Sequence, residues 1–183
     1  MLYKVAFIGD SGVGKTSLIK AFLGEDIKKV STTIGVDFYH IRKQGCEIVV
    51  WDFAGQKWFR EIIIDFLKGA ALVVMVFDLS RPSTLINLLK SWLHYVLSIS
   101  GDKTMVIVVG NKKDIKTIPD EFIEEILYQI SQKVNFKMYL QTSALLKENV
   151  SNLFQAIFEV VKLLHVIMNE KGKEEINVPS RNF

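Results

Sequence analysis

The stretch Gly9-Asp10-Ser11-Gly12-Val13-Gly14-Lys15-Thr16 fits the pattern G-x-x-x-x-G-K-[ST]. In the right setting such a loop wraps backbone N–H groups around a nucleotide phosphate. Lys15 would neutralise the β and γ phosphates, and the Thr16 hydroxyl would bind Mg²⁺. By composition alone the pattern arises in on the order of 1% of chains this long, or fewer. Position says more than rarity. The loop follows an apolar run and opens a helical pattern, the geometry in which loop amides and a helix N-terminus converge on an anion.

A second constellation lies in "VIVVGNKKD", where Asn111, Lys112 and Asp114 close another apolar run. A carboxylate at Asp114 can accept hydrogen bonds from both the ring N–H and the amino group of guanine. Adenine would leave it facing a ring acceptor, and a buried mismatch of that kind discriminates by about 10⁴–10⁵. A charged loop alone means little. After a buried strand and downstream of a phosphate loop, it reads as a guanine site.

Elements that must hold these loops are visible along the chain. Lys4–Ile8, Leu72–Phe77 and Met105–Val109 read as buried strands, with a shorter one at Lys137–Gln141. Val36–Arg42 and Ile48–Phe53 read as two strands joined by a turn at Gln44-Gly45. Helical patterns cover Thr16–Leu23, Lys57–Leu67, Ser83–Leu97, Pro119–Gln132 and Glu148–Met168. The last is the clearest, with Val150, Leu153, Phe154, Ile157, Phe158, Val161 and Leu164 at helical spacing. Continuous apolar strands alternating with helices indicate a mostly parallel sheet covered on both faces.

With 183 residues, 49% hydrophobic and 23% charged, the chain is expected to form one soluble domain. Residues 1–168 would be that domain, and "EKGKEEINVPSRNF" a loose tail within 169–183. A net charge of +3 is too small and scattered to argue for nucleic acid or membrane binding, and the pairs Lys28-Lys29 and Lys112-Lys113 read as solvated. One cysteine, Cys46, allows no intrachain disulfide and suits a reducing compartment. No leader pattern is visible, and the apolar run Ala70–Phe77 is far short of a bilayer span. These features set the expectation of a cytoplasmic monomer.

The ordered set "GDSGVGKT", "TTIGVDF", "WDFAGQ", "GNKKD" and "TSAL" resembles a small GTPase of the Ras superfamily, and most closely its Rab branch. The likeness runs from about Lys4 to Val166; "IGVDF" and "WDFAGQ" are what point to Rab. It implies a P-loop α/β fold of three layers, its six-stranded, mostly parallel sheet carrying helices on both faces and one antiparallel edge strand. Implied phosphate contacts are Ser11, Gly12, Val13, Gly14, Lys15, Thr16 and Ser17. Thr33 resembles the first-switch threonine that joins Mg²⁺ and the γ phosphate, Asp52 the acid that holds Mg²⁺ through water, and Gly55 the amide that senses the γ phosphate. Gln56 resembles the residue that orients the attacking water. Lys112 would pack along guanine while Ser143, Ala144 and Leu145 form the loop beside its oxygen. The implied catalytic set is Gln56, Lys15 and Thr33, and the implied metal ligands are Thr16, Thr33 and Asp52.

Taken singly, Thr33, Asp52 and Gln56 are better explained by a polar loop, a strand end and a solvated turn; their joint order and spacing reverse that and favour the functional reading. The resemblance implies GTP/GDP and Mg²⁺ as ligands, and an activating protein, an exchange factor and effectors as partners. It also implies slow unassisted hydrolysis, because no internal arginine offers itself for the transition state and Arg60 belongs to the switch surface. A nucleotide-bound interaction module without turnover is the alternative, and an adenine-specific ATPase is disfavoured by Asp114.

Several departures stand out. The first-switch segment is one residue shorter than is usual in the family, and Ile27 or a near neighbour replaces the aromatic that stacks on guanine. Losing such a contact, about 0.5–1.5 kcal/mol, would quicken exchange. Trp58 and Ile62-Ile63-Ile64 make the second switch unusually apolar, through core packing or an exposed partner strip. Phe38, Trp51 and Phe66 match an effector-facing aromatic cluster in Rab proteins and would equally serve as half-buried core. No cysteine stands near the end of the chain for prenylation, so membranes would be reached through partners.

Overall fold

The computed structural model describes residues 2–43, 45–55, 60–100 and 104–176. Six strands form one sheet in the order β2-β3-β1-β4-β5-β6: β1 Leu2–Ile8, β2 Val36–Lys43, β3 Cys46–Phe53, β4 Leu72–Asp78, β5 Met105–Asn111 and β6 Asn135–Gln141. Every neighbouring pair is parallel except β2 and β3, which run antiparallel from Val36 opposite Phe53 to Lys43 opposite Cys46. The edge hairpin and the parallel remainder are those expected from the sequence.

The period of two along each central strand divides the core into two layers. Val5 and Phe7 of β1, with Leu72, Val74 and Val76 of β4, face one side. Ala6 and Ile8, with Val73, Met75 and Phe77, face the other. The first layer is closed by α1 (Lys15–Leu23) and α6 (Val150–Ile176), where Phe22 and Phe154 stack with centroids 3.9 Å apart. The second is closed by α2 (Arg60–Leu67), α3 (Pro82–Asn87), α4 (Leu93–Ser100) and α5 (Asp120–Ser131).

Three elements differ from the sequence reading. The helix expected over Ser83–Leu97 is continuous but contains a π segment, Leu88–Trp92, between α3 and α4. Leu88 and Trp92 at its two ends are both wholly inside the second layer. Pro119 precedes α5 as its cap in extended conformation rather than sitting in the first turn. The last helix runs to Ile176, eight residues beyond Met168. Its window Val150–Ile167 is apolar and long enough to cross a bilayer. Leu153, Phe154, Ile157 and Val161 are nevertheless buried against the sheet, so the apolar stripe is core. Of the second-switch helix, Lys57 and Trp58 lie outside the described residues, as does Gln44 of the hairpin turn.

Phe154 is fully buried between Phe22 and Phe7. Phe154→Ala is expected to lower the unfolding free energy by about 3–5 kcal/mol, read from urea unfolding curves.

Candidate functional site

The loops after β1, β3, β5 and β6 leave the sheet at its carboxyl edge, and the Thr33 loop enters antiparallel β2 at the same edge. The order of connections reverses beside β1, which opens a crevice at that edge. The crevice holds a cavity of about 510 Å³ lined by Ser11, Gly12, Gly14, Lys15, Thr16, Ser17, Thr33, Gly55, Asn111, Lys112, Asp114, Ala144 and Leu145. Thirteen separate positions expected from the sequence thus share one wall. Val13 is buried in the core and contributes its carbonyl, while Asp52 and Ser143 are fully buried just behind the lining. Gln56 lies outside the described residues.

Glycine is demanded at two of these positions. Gly14 has φ 97°, and a Cβ there would stand 2.3 Å from Asn111 Nδ2. A Cβ on Gly55 would stand 2.3 Å from the Ser11 backbone nitrogen, so the β3 loop and the phosphate loop touch backbone to backbone. No side chain caps α1, whose N-terminal cap is Gly14. Its first amides therefore face the cavity without a side-chain acceptor, which suits a bound phosphate. Lys15 folds under the loop, donating from Nζ to Gly9 O at 2.8 Å and Asp10 O at 3.0 Å.

The phosphate loop is braced from outside by residues that sequence reasoning did not single out. Asn87 Nδ2 donates to Asp10 Oδ2 at 2.6 Å, and Trp92 Nε1 donates to Asp10 Oδ1 at 2.8 Å. Arg81 Nη2 donates to Ser11 O at 3.1 Å. An acid or polar group at the end of an apolar strand was the available signal, and Asp78 at the end of β4 carried it unread.

At one end of the cavity three side-chain oxygens cluster. Thr16 Oγ1 donates to Asp52 Oδ2 at 2.5 Å and lies 2.9 Å from Thr33 Oγ1. Asp52 Oδ1 is buried and has no hydrogen-bond partner among the described residues. Burial pushes the Asp52 carboxyl up to about 6, opposed by the Thr16 hydrogen bond and the Lys15 charge. A buried carboxylate oxygen without a partner is costly unless a cation meets it. Two hydroxyls and one carboxylate therefore fit Mg²⁺. Among the described residues no three His, Cys, Asp or Glu side chains gather, and Mg²⁺ sites commonly take one or two carboxylates with the remainder from substrate phosphates and water.

At the other end, Asp114 accepts a hydrogen bond from the Ser143 hydroxyl. Asn111 donates from Nδ2 to Val13 O at 2.9 Å and accepts from Thr142 Oγ1 at 3.2 Å and Ala144 N at 3.1 Å. The Ser143 amide donates to Glu148 O, so the amides of Ser143 and Ala144 are both engaged within the protein while Leu145 lines the cavity. Lys112, at φ 65°, lines the cavity but sends Nζ to Asp78 Oδ2 at 2.6 Å. Ile27 does line the cavity, in company with Ile115, Val30, Ser31, Thr32 and Phe53.

On the outer face, Phe38 meets Trp51 edge to face at 4.6 Å, and Trp51 lies 6.3 Å from Phe66. Phe38 is 57% exposed and Ile34 78% exposed, whereas Lys4 Nζ covers the Trp51 ring at 3.5 Å. Ile63 is core and Ile64 half-buried, so these two do not form an exposed strip.

A phosphate loop between a parallel strand and an uncapped helix, with base-side and cation-side groups at opposite ends of one cavity, defines a P-loop nucleotide-binding fold. Residues 4–163 match the profile of the Ras family. The chain is 33% identical to Ras-related protein RABA1c of Arabidopsis thaliana, over 98% of this chain and 85% of that one. It is likewise 33% identical to Ras-related protein Rab-4 of Dictyostelium discoideum, over 97% and 84%, and 30% identical to Ras-related protein YPTC6 of Chlamydomonas reinhardtii, over 97% and 82%. The chain belongs to the Ras superfamily of small GTPases, with several Rab-type relatives.

Asp52 also sets a pH dependence. A carboxyl raised from 3.8 to about 6 favours the folded state below its unfolded value, and that contribution is lost as pH rises through about 6. Metal-free protein is expected to lose stability between these pH values, and Asp52→Asn to flatten the loss; urea midpoints recorded in EDTA check this.

Proposed function

We propose that the protein is a GTP-binding switch that hydrolyses GTP slowly by itself and acts in the Rab manner in membrane traffic. The observation that carries this reading is the single cavity with a Lys15–Thr16–Thr33–Asp52 cluster at one end and Asp114 at the other. That spacing of cationic, oxygen-rich and carboxylate groups is complementary to a guanosine triphosphate in one orientation. Residues 1–168 are read as the nucleotide-binding domain and 169–183 as the tail that follows it.

Each residue has a task in this scheme. The amides of Ser11 to Ser17 and the Lys15 ammonium hold the β and γ phosphates, and Asp114 reads the guanine edge beside Lys112, Ala144 and Leu145. Thr16, Thr33 and Asp52 hold Mg²⁺, which when bound supplies positive charge to the phosphate oxygens. Gln56 orients the attacking water. Phosphoryl transfer depends on such placement and charge rather than on covalent chemistry. When the γ phosphate leaves, Thr33 and Gly55 lose a shared contact and the two loops relax, which partners read. An activating protein, an exchange factor and effectors are the partner classes, with Ile34, Phe38, Trp51 and Phe66 as the effector face. The protein acts as a monomer in the cytoplasm and reaches membranes through those partners.

Gently purified protein is expected to carry GDP or GTP, and excess ATP to leave labelled GTP bound. Single-turnover hydrolysis is expected at about 10⁻⁴ to 10⁻³ s⁻¹ and to fall further in Gln56→Leu. A rate above about 0.1 s⁻¹ without a partner would contradict the scheme, and a wild-type rate equal to that of Gln56→Leu would favour a binding module without turnover.

Ile27 bears on retention. Ile27→Phe is expected to slow GDP release by about two- to tenfold by restoring an aromatic surface beside the base; a displacement assay with a fluorescent GDP analogue measures it.

A further inference from the structure

Arg81 lies against the phosphate loop without lining the cavity itself. Its Nε donates to Asp78 Oδ2 at 2.8 Å, and its Nη2 donates to Ser11 O at 3.1 Å. The same Nη2 lies 3.6 Å from where a Cβ on Gly12 would sit, so the guanidinium runs along the outer side of the phosphate loop. Asp78 is wholly buried. Its Oδ1 accepts from the Ser80 amide at 2.9 Å and hydroxyl at 2.6 Å, and its Oδ2 is shared by Arg81 and by Lys112 Nζ at 2.6 Å. Burial alone would raise this carboxyl, but the bonds from Lys112, Ser80 and Arg81 outweigh it and hold it below the usual carboxylate range.

We propose that Arg81 is a positioning residue for nucleotide retention, coupling the phosphate loop to the guanine loop through Asp78. The proposal rests on the nucleotide-binding reading given above. Two consequences follow from its fork. One arm fixes the Ser11 carbonyl and with it the loop that would cradle the phosphates. The other arm satisfies part of the Asp78 charge, which otherwise falls to Lys112 alone. Without Arg81, the Lys112 ammonium, already 2.6 Å from Asp78 Oδ2, is the one cation left on that buried carboxylate among the described residues, and the strand end that anchors Lys112 is held less firmly. Loss of the one side chain thereby loosens both ends of the ligand. A lysine at this position keeps the charge but lacks the planar fork that sets one nitrogen against Asp78 and another against Ser11. Arg81 is 44% exposed on its side chain, so its removal opens no cavity in the apolar core, while the wholly buried Asp78 loses one of its partners.

The test loads full-length protein with a fluorescent GDP analogue and Mg²⁺, then chases with excess GDP. Arg81→Ala is expected to release the analogue about tenfold faster, the loss of one charge-assisted hydrogen bond. Arg81→Lys, which keeps a cation beside Asp78, should fall between this variant and wild type in release rate while its urea midpoint stays at the wild-type value. An Arg81→Ala release rate within twofold of wild type would overturn the proposal. So would equal acceleration in both variants together with a lowered urea midpoint, which marks a structural role only. Wild-type protein that retains no guanine nucleotide at all would take down the functional reading as well.

Discussion

The structure depends on one buried amide. Asn111 ends β5 almost wholly buried and forms three hydrogen bonds: one to the phosphate loop at Val13, one from Thr142 and one from the Ala144 amide. These join the loops after β1, β5 and β6, which are far apart in sequence. In a low-dielectric interior each such bond is costly to leave unmade, so the network fixes the loops relative to one another. Gly14 completes the constraint, because any side chain there would occupy the space of the Asn111 amide.

Around that fixed frame the polar groups are arranged in opposite ways at the two ends. On the base side, Asp114, Ser143, Lys112 and Asp78 satisfy one another within the protein. On the cation side, Asp52 is buried with one oxygen unsatisfied beside two hydroxyls. The first arrangement is rigid before any ligand arrives. The second is poised for a cation, and it includes Thr33 from the loop between α1 and β2.

The second core layer ties the frame to α3, α4 and the π segment between them. Trp92 is fully buried, yet its indole N–H reaches Asp10 in the phosphate loop, and Asn87 reaches the same carboxylate. Packing of the helices on this face and the shape of the phosphate loop are therefore one structural problem.

Much of this was legible from residue types and spacing. Strand and helix positions followed from periods of 2 and 3.6, because burial on a sheet or helix face is a local pattern repeated along the chain. The residues that come to line the cavity, Gly12, Gly14, Lys15, Ser17, Asp114 and the Thr16–Thr33 pair with Asp52 behind them, were marked by glycine, lysine, hydroxyl and acid residues near strand ends. Long-range partnership was not legible. Nothing local in the chain joins Arg81 to Ser11, Trp92 to Asp10, or Lys112 to Asp78, since these contacts exist only once β1, β4 and β5 lie side by side. The π turn was hidden as well, because the apolar spacing of Ser83–Leu97 reads as an ordinary helix. Local order thus came from the chain alone, and the mutual restraint of the loops from tertiary packing, which alone brings distant polar groups within bonding range.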